Sequence, residues 1–395
     1  MIRTLLAVPL LLLSCALPPP TPRETIKIVS LLPRTGSAKR QTDFIVNAIR
    51  LAIEDSGSRA GDFRVVFEDI DTRSATGNWG GGREDVLAPE IDRDPDVMAV
   101  IGTYNSGSAK IFMPVFNQSN LLMISPANTW PGLTKPGKGD PDEPGKYRPG
   151  GRINYCRVVP ADDVQGLVAA EWANKSGAKR VFVIHDRETY GKGVAECFRK
   201  RAKEIGLEVL GFEGFDYEAQ DFKSLLAKIK SSAPDLVYCG GTTQTKAGEI
   251  TREMRAAGLP YKFMVPDGCF EESFITAAGA ENLEGRLFIT FGIIPMEKVT
   301  EKGAEFVRNY KNKYGQDPEF YAVYAYDAAR VVLEAIRRAG KKDRDAIRAA
   351  CLAIRHFDGA LGTWSFDENG DTTLRTVAVY QVRNGKFEFA ECVRD

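Results

Sequence analysis

Histidine is nearly absent from this chain: His185 and His356 are the only two in 395 residues. That excludes a histidine-rich metal centre, and none of the seven cysteines falls in a CxxC or zinc-type spacing. Neither sign of charge is in excess, with 53 Lys plus Arg against 53 Asp plus Glu, so nothing supports a nucleic-acid partner. Chemistry is equally thin. Ser106 has Tyr104 rather than glycine two residues before it, and the nucleophile-elbow pattern fails. Gly132 to Lys138 imitates the opening of a phosphate loop, but Gly139 follows where Ser or Thr is needed. Asp367 to Asp371 encloses an Asn369-Gly370 turn with the wrong spacing for a calcium loop. His185, beside Asp186 at a strand end, reads as a hydrogen-bonded structural histidine. No nucleophile and base pair emerges, so no catalytic residue, cofactor or metal is expected.

What is present begins with Cys15. Arg3 precedes an apolar core from Leu5 to Leu13, broken only by Pro9, and Leu12-Leu13-Ser14-Cys15 has the form of a lipobox. The run is shorter than the roughly 20 residues of a membrane-spanning helix. Residues 1–14 therefore read as a cleaved lipoprotein signal peptide, with Cys15 as the lipid attachment site. An ordinary signal peptide with an incidental cysteine is the alternative. Pro18, Pro19, Pro20 and Pro22 make 15–24 an extended tether. The expected location is the periplasmic or extracellular face, anchored to the membrane by lipid. Six cysteines remain, Cys156, Cys197, Cys239, Cys269, Cys351 and Cys392. An exported compartment permits disulfides; one or two bridges at most are expected, with the other thiols buried as small apolar residues.

Strand patterns alternate with helical ones along nearly the whole body. Apolar strands are expected at Thr25–Leu32, Phe63–Phe67, Val97–Ile101, Leu121–Ile124, Val181–Ile184, Leu207–Phe212, Leu236–Cys239 and Phe263–Val265. Alternation of this kind calls for parallel sheets covered by helices on both faces. Three helical patterns follow at Thr300–Tyr314, Phe320–Ala339 and Arg344–Ile354. Closing strands are expected near Leu361–Phe366, Leu374–Val382 and Phe387–Ala390, with a hairpin turn at Asn384-Gly385. The fold class is α/β, with two Rossmann-like lobes joined by three crossover strands near Arg157–Val159, Phe288–Phe291 and Gly362–Phe366. The expected lobes are 25–157 plus 291–361 and 158–290 plus 362–395. Pro126 to Gly151 is rich in Pro and Gly and reads as a long irregular loop, either functional or a surface insertion.

Six local strings occur in order: Val100–Gly102 with Ser106–Ser108, Leu122–Thr129 (LMISPANT), Ile184–Gly193 (IHDRETYGKG), Val237–Gly241 (VYCGG), Phe263–Gly268 (FMVPDG) and Gly362–Asp367 (GTWSFD). Together they resemble the leucine/isoleucine/valine-binding proteins of bacterial ABC importers, within the type I periplasmic binding proteins. The resemblance runs from about Ile26 to Asp395. It implies a non-enzymatic solute-binding component that takes an amino acid between its lobes and delivers it to an ABC permease driven by a separate ATPase.

The physics of such a ligand agrees. An enclosed amino acid needs hydrogen bonds for its carboxylate and a counter-charge for its ammonium. Ser106 follows a strand and opens a helix, where unpaired amides favour an anion; a plain helix cap is the alternative. The resemblance implies that Ser106 and Thr129 hold the carboxylate, that Asp267 and the Ala127 carbonyl hold the ammonium, and that Tyr190 closes over the ligand. Thr242 stands where the family has tyrosine, and Asp267 where its branched-chain binders have glutamate. The loop Arg34 to Gln41 carries Lys39 and Arg40 instead of an aromatic residue. Tyr104 and Trp130 are candidates to restore an apolar wall. The family's first-lobe cysteine pair has no counterpart, since Asn105 occupies one of its positions. Two other readings stay open: a ligand-sensing receptor subunit of the same fold, and a binder of an amide or another small carboxylate.

Overall fold

The computed structural model describes residues 24–73, 82–292 and 300–394, so Cys15 and most of the tether lie outside the described residues. Within them, the apolar runs fall where the periodicity puts them. The first half contains β1 (Thr25–Leu32), α1 (Lys39–Asp55), β2 (Arg59–Ala60), β3 (Phe63–Asp71), α2 (Arg83–Arg93), β4 (Val97–Gly102), α3 (Ser106–Gln118), β5 (Leu122–Ser125) and β6 (Tyr155–Arg157). These strands form one sheet in the order β2-β3-β1-β4-β5-β6, parallel except for β2. Every residue of β4 and β5 is buried, as strands covered on both faces require.

The chain then adds α4 (Asp162–Lys175), β7 (Arg180–His185), α5 (Thr189–Glu204), β8 (Glu208–Gly214), α6 (Lys223–Ser232), β9 (Leu236–Gly240), α7 (Ala247–Ala256), β10 (Lys262–Val265), α8 (Glu272–Ala278), α9 (Ala280–Leu283) and β11 (Leu287–Phe291). Last come α10 (Glu301–Tyr314), α11 (Phe320–Ala339), α12 (Arg344–Leu352), β12 (Phe357–Gly359), β13 (Gly362–Trp364), β14 (Thr376–Arg383) and β15 (Lys386–Arg394). The second sheet runs β15-β14-β11-β10-β9-β7-β8, with β14 and β15 antiparallel. Asn384 and Gly385, at φ 50 and 70, make the tight turn that joins those two strands.

Three passages carry the chain between the sheets. The first is at β6, after which α4 packs on α5, β11 and β14. The second follows β11, and the returning helices cover the first sheet: α11 lies along α1, and Tyr310 of α10 stacks on Phe44 at 6.2 Å. The third differs from the expectation at Gly362–Phe366. There β13 pairs with β12 in a separate two-stranded ribbon, and the passage itself runs beside β6 through a parallel bridge between Arg157 and Asp371. A glycine-rich turn breaks the strand pattern at that point, so the apolar residues Trp364 and Phe366 pack into the core without joining either main sheet.

The Pro126–Gly151 segment is an irregular loop, as expected, with 3-10 turns at Pro131–Leu133 and Gly145–Tyr147, but Pro126 to Thr134 is buried throughout. The cause is Glu143, whose carboxylate accepts from Trp130 Nε1 at 2.8 Å, from the Asp140 amide at 3.0 Å and from the Tyr147 hydroxyl, and which pairs with Lys110 at 2.8 Å. No disulfide is present among the described residues: the six cysteines there are all free. Cys156, Cys239, Cys269 and Cys351 are buried and act as small core residues, whereas Cys197 and Cys392 are partly exposed.

At the first passage Arg157 is completely buried and pairs with Asp371 at 2.7 Å. Its other nitrogens reach the carbonyl oxygens of Trp130 (2.9 Å) and Asn128 (3.3 Å) and the hydroxyl of Thr134. Removing one partner of a buried pair leaves an uncompensated charge, at a cost of about 3–5 kcal/mol. Arg157→Ala is therefore expected to destabilise the fold by about that amount in denaturant titration; a loss no larger than that of an exposed arginine would contradict it. Glu143 gives a pH signature. Burial raises its pKa, but Lys110, Tyr147 and Trp130 outweigh burial and hold it down at about 2. A folded value below the unfolded one stabilises the fold above about 4.5, and that contribution fades as pH falls toward 2. The melting-temperature gap between wild type and Glu143→Gln should thus be wide at neutral pH and narrow near pH 2, whereas an equal gap at both would refute the assignment.

Candidate functional site

The C-terminal ends of parallel strands meet between the two sheets, the usual place for a ligand in this architecture. A narrow cavity of about 20 Å³ lies there, lined by Tyr104, Asn105, Ser106, Ala127, Tyr190, Thr242, Gly268 and Tyr321. Five of the seven expected ligand residues thus share one wall or another of a single cavity. Ser106 is the first residue of α3, whose N-cap has no side-chain hydrogen bond, so free amides point toward the cavity. Ser106 Oγ accepts from the Trp130 amide at 3.4 Å, which leaves its hydroxyl hydrogen to donate.

Asp267, just after β10 and next to the lining residue Gly268, is 2% exposed. Its Oδ1 accepts from Tyr190 Oη at 2.5 Å and from Gln165 Nε2 at 2.7 Å, and its Oδ2 accepts from Tyr321 Oη. Tyr190 Oη accepts in turn from the Gly268 amide at 3.0 Å. Burial raises the Asp267 pKa, and the donors Tyr190, Tyr321 and Gln165 pull against it. All three donors are neutral, and among the described residues no cation pairs with Asp267. Thr129 stands behind the cavity wall. It is 1% exposed, and its Oγ1 lies next to the Asp162 carboxylate without reaching hydrogen-bond geometry.

Tyr104 does form a wall, edge-on to Tyr321 with centroids 6.0 Å apart and planes at 70°, and its hydroxyl donates to Gln41. Trp130 does not, because its indole turns to Glu143. Thr242 lines the cavity, but its hydroxyl is spent on Thr245. Lys39 pairs with Asp43 at 2.6 Å, and Arg40 reaches Glu272 at 2.8 Å and Glu319 at 3.4 Å, so neither enters the cavity. His185 Nδ1 accepts from the Arg187 amide at 3.1 Å, as a structural histidine would.

Three contributors escaped the sequence reading: Tyr321, Asp162 and Gln165. Tyr321 sits within an aromatic helix start and gives no separate signal. Asp162 and Gln165 carried one, since polar residues at i and i+3 directly after a crossing share one helix face.

A family model described as periplasmic binding protein matches residues 25–386. The chain belongs to the periplasmic binding protein family. Among relatives, the Leu/Ile/Val-binding protein homolog 1 of Brucella suis biovar 1 is 32% identical over 290 residues, 73% of either chain. The leucine-, isoleucine-, valine-, threonine- and alanine-binding protein of Pseudomonas aeruginosa is 28% identical over 368 residues, 91% of this chain and 90% of that one. A leucine-binding protein LivK from Thermotoga maritima has a crystal structure that superposes with a TM-score of 0.82 at 30% identity, covering 93% of this chain and 99% of its own. The architecture of this periplasmic binding protein is thus the type I fold. No helix among the described residues is long and apolar enough to cross a membrane.

Tyr321→Phe would remove one of three donors from a buried carboxylate, at a cost of about 1–3 kcal/mol in stability. The expected outcome is measurable weakening with the fold intact by circular dichroism, and an unchanged protein would show that Tyr321 is a bystander.

Proposed function

We propose that this protein is the solute-binding component of an ABC importer and holds an amino acid in the cavity between its sheets. One observation carries the reading: Asp267 is a buried carboxylate met only by neutral donors, beside a cavity whose opposite wall is a helix N-terminus. A buried anion without a cation is costly, and a ligand ammonium supplies that cation. The ligand carboxylate then lies at Ser106 and the first amides of α3, which line the same cavity as the Asp267 partners Tyr190 and Tyr321, with Thr129 behind it. An α-amino acid carries one charge of each sign for these two places. The names of the relatives, which bind leucine, isoleucine, valine, threonine or alanine, support the same class.

In this reading Tyr190 closes from the second lobe, Ala127 offers its carbonyl to the ammonium, and Tyr104, Tyr321 and Thr242 bound the side chain. The lobes are residues 25–157 plus 291–361 and 158–290 plus 362–395. The lipid on Cys15 tethers the protein outside the membrane, and the closed complex engages a permease powered by its ATPase. Closure around ligand is the hinge motion such architectures use.

The test is a melting-temperature screen of a version lacking residues 1–22 against the twenty amino acids at millimolar concentration. A ligand at about a thousand times its Kd adds about 4 kcal/mol, a shift of several degrees for a chain this size. The expected result is a shift with aliphatic or small hydroxyl amino acids that Asp267→Asn abolishes. Silence across all twenty would overturn the assignment.

A further inference from the structure

Behind the cavity a second carboxylate lies deeper than Asp267. Asp162, the first residue of α4, is 0% exposed. Gln165 Nε2 bridges the two acids, 3.3 Å from Asp162 Oδ1 and 2.7 Å from Asp267 Oδ1. Three buried atoms around this bridge have no hydrogen-bond partner: Asp162 Oδ2, Gln165 Oε1 and Thr129 Oγ1. Two of the three can only accept when Asp162 is ionised, so the group is short of donors. The groups facing Asp162 are Asp267, Arg157 at the end of β6, Tyr190 and Cys197 of α5, Tyr238 of β9 and Tyr321 of α11. Arg157, the cation that acts on Asp162, is already paired with Asp371 at 2.7 Å.

Two carboxylates enclosed this closely, with one amide between them and one committed arginine, do not both ionise freely. We propose that Asp162 and Asp267 share one proton, and that binding of a ligand ammonium releases it to solvent. The proton rides on Asp162 Oδ2, where an acid O–H supplies the donor that Thr129 and Gln165 lack. When the ammonium arrives, Asp267 pairs with it directly and Asp162 ionises. The Thr129 hydroxyl then donates to Asp162, which turns its lone pairs toward the ligand. The pair gains one negative charge as the ligand brings one positive charge, and the ammonium keeps its own three hydrogens. Asp162 is in this sense a positioning residue that acts through Thr129 and Gln165. Burial, followed by the nearby Asp267, raises the affinity of Asp162 for a proton, in the same direction. The inference rests on the amino-acid reading above and sharpens it: ligands with a cationic amine bind with proton release, and neutral ligands do not.

Isothermal titration calorimetry of the 1–22 deletion, with L-leucine, L-isoleucine, L-valine, L-threonine and L-alanine, tests this in two buffers of different ionisation enthalpy. With an amino acid that binds, the heat should differ between buffers by up to one proton released, and affinity should rise with pH by up to tenfold per unit until the pair is ionised. Asp162→Asn should still bind but lose both the buffer dependence and the pH slope, which a purely structural Asp162 would leave intact. If that variant does not fold, the wild-type heats and pH slope decide alone. Binding with buffer-independent heat and a flat pH profile would overturn the shared proton and leave the amino-acid reading standing. No heat with any of the five, together with silence across all twenty in the melting screen, would overturn both.

Discussion

The buried pair of Arg157 and Asp371 is the contact on which the arrangement of the cleft depends. Arg157 ends β6, the last strand of the first sheet before the chain passes to the second, and Asp371 lies on the passage that returns to β14. Their side chains lock two of the three connections side by side. The guanidinium also takes up the carbonyls of Asn128 and Trp130 and the hydroxyl of Thr134, so the segment bearing Ala127 and Thr129 is fixed to the crossing itself. A planar fork with five donors can serve a carboxylate and several backbone oxygens at once, and lysine cannot. Lys135 adds a second cation near Asp371 at 3.5 Å. Burial alone would raise the Asp371 pKa, yet Arg157 and Lys135 hold it below the usual carboxylate range, so the pair remains ionic in the interior.

The cleft is built on the opposite electrostatic principle. At the crossing each buried charge is matched within the protein; in the cavity Asp267 is met by hydroxyls and an amide that solvate its charge without neutralising it. Solvation of this kind keeps a carboxylate tolerable in the interior while leaving its attraction for a cation largely unspent. Around the rim, charge is again matched: Arg40 of α1 reaches Glu272 of α8 and Glu319 beside α11. Burial and the neighbouring Glu271 push Glu319 up to about 7 against the pull of Arg40. In the amino-acid reading, the uncompensated charge of Asp267 is where a zwitterion would place its ammonium, with its carboxylate at the start of α3.

The fold was legible because its strands are buried on both faces and read as short continuous apolar runs, and because caps and turns announce themselves. Thr300 accepts from the Gly303 amide at 3.2 Å and Asp343 from the Ala346 amide at 2.8 Å, setting the starts of α10 and α12. Gly315 and Gly340 end helices at φ 73 and 61. What failed to show was long-range. Glu143 sits amid Pro and Gly that advertise an irregular loop, and only the folded chain brings Lys110 and Trp130 to it. In the cavity, Tyr104, Ser106, Ala127, Tyr190 and Thr242 came from local strings beside strand ends. Tyr321 arrives from a helix 54 positions after Asp267, with no local mark to set it apart from the other tyrosines of α11. Trp130 went the other way, since its ring was promised to a carboxylate that the sequence did not single out.

Tyr321 also links the two halves of the molecule. It belongs to a helix packed on the first sheet, whereas Asp267 and Tyr190 belong to the second. Its hydroxyl therefore carries an inter-sheet hydrogen bond, and its ring stands edge-on to Tyr104 across the space a ligand side chain would enter. In the amino-acid reading, a ligand ammonium approaching Asp267 would compete with the Tyr321 hydroxyl for the same carboxylate, and a ligand side chain would press on the same pair of rings. A bulky side chain would have to part them; a short one would not. Selectivity for size would then be tied to the contact that joins the two halves, because both would act through the position of one tyrosine.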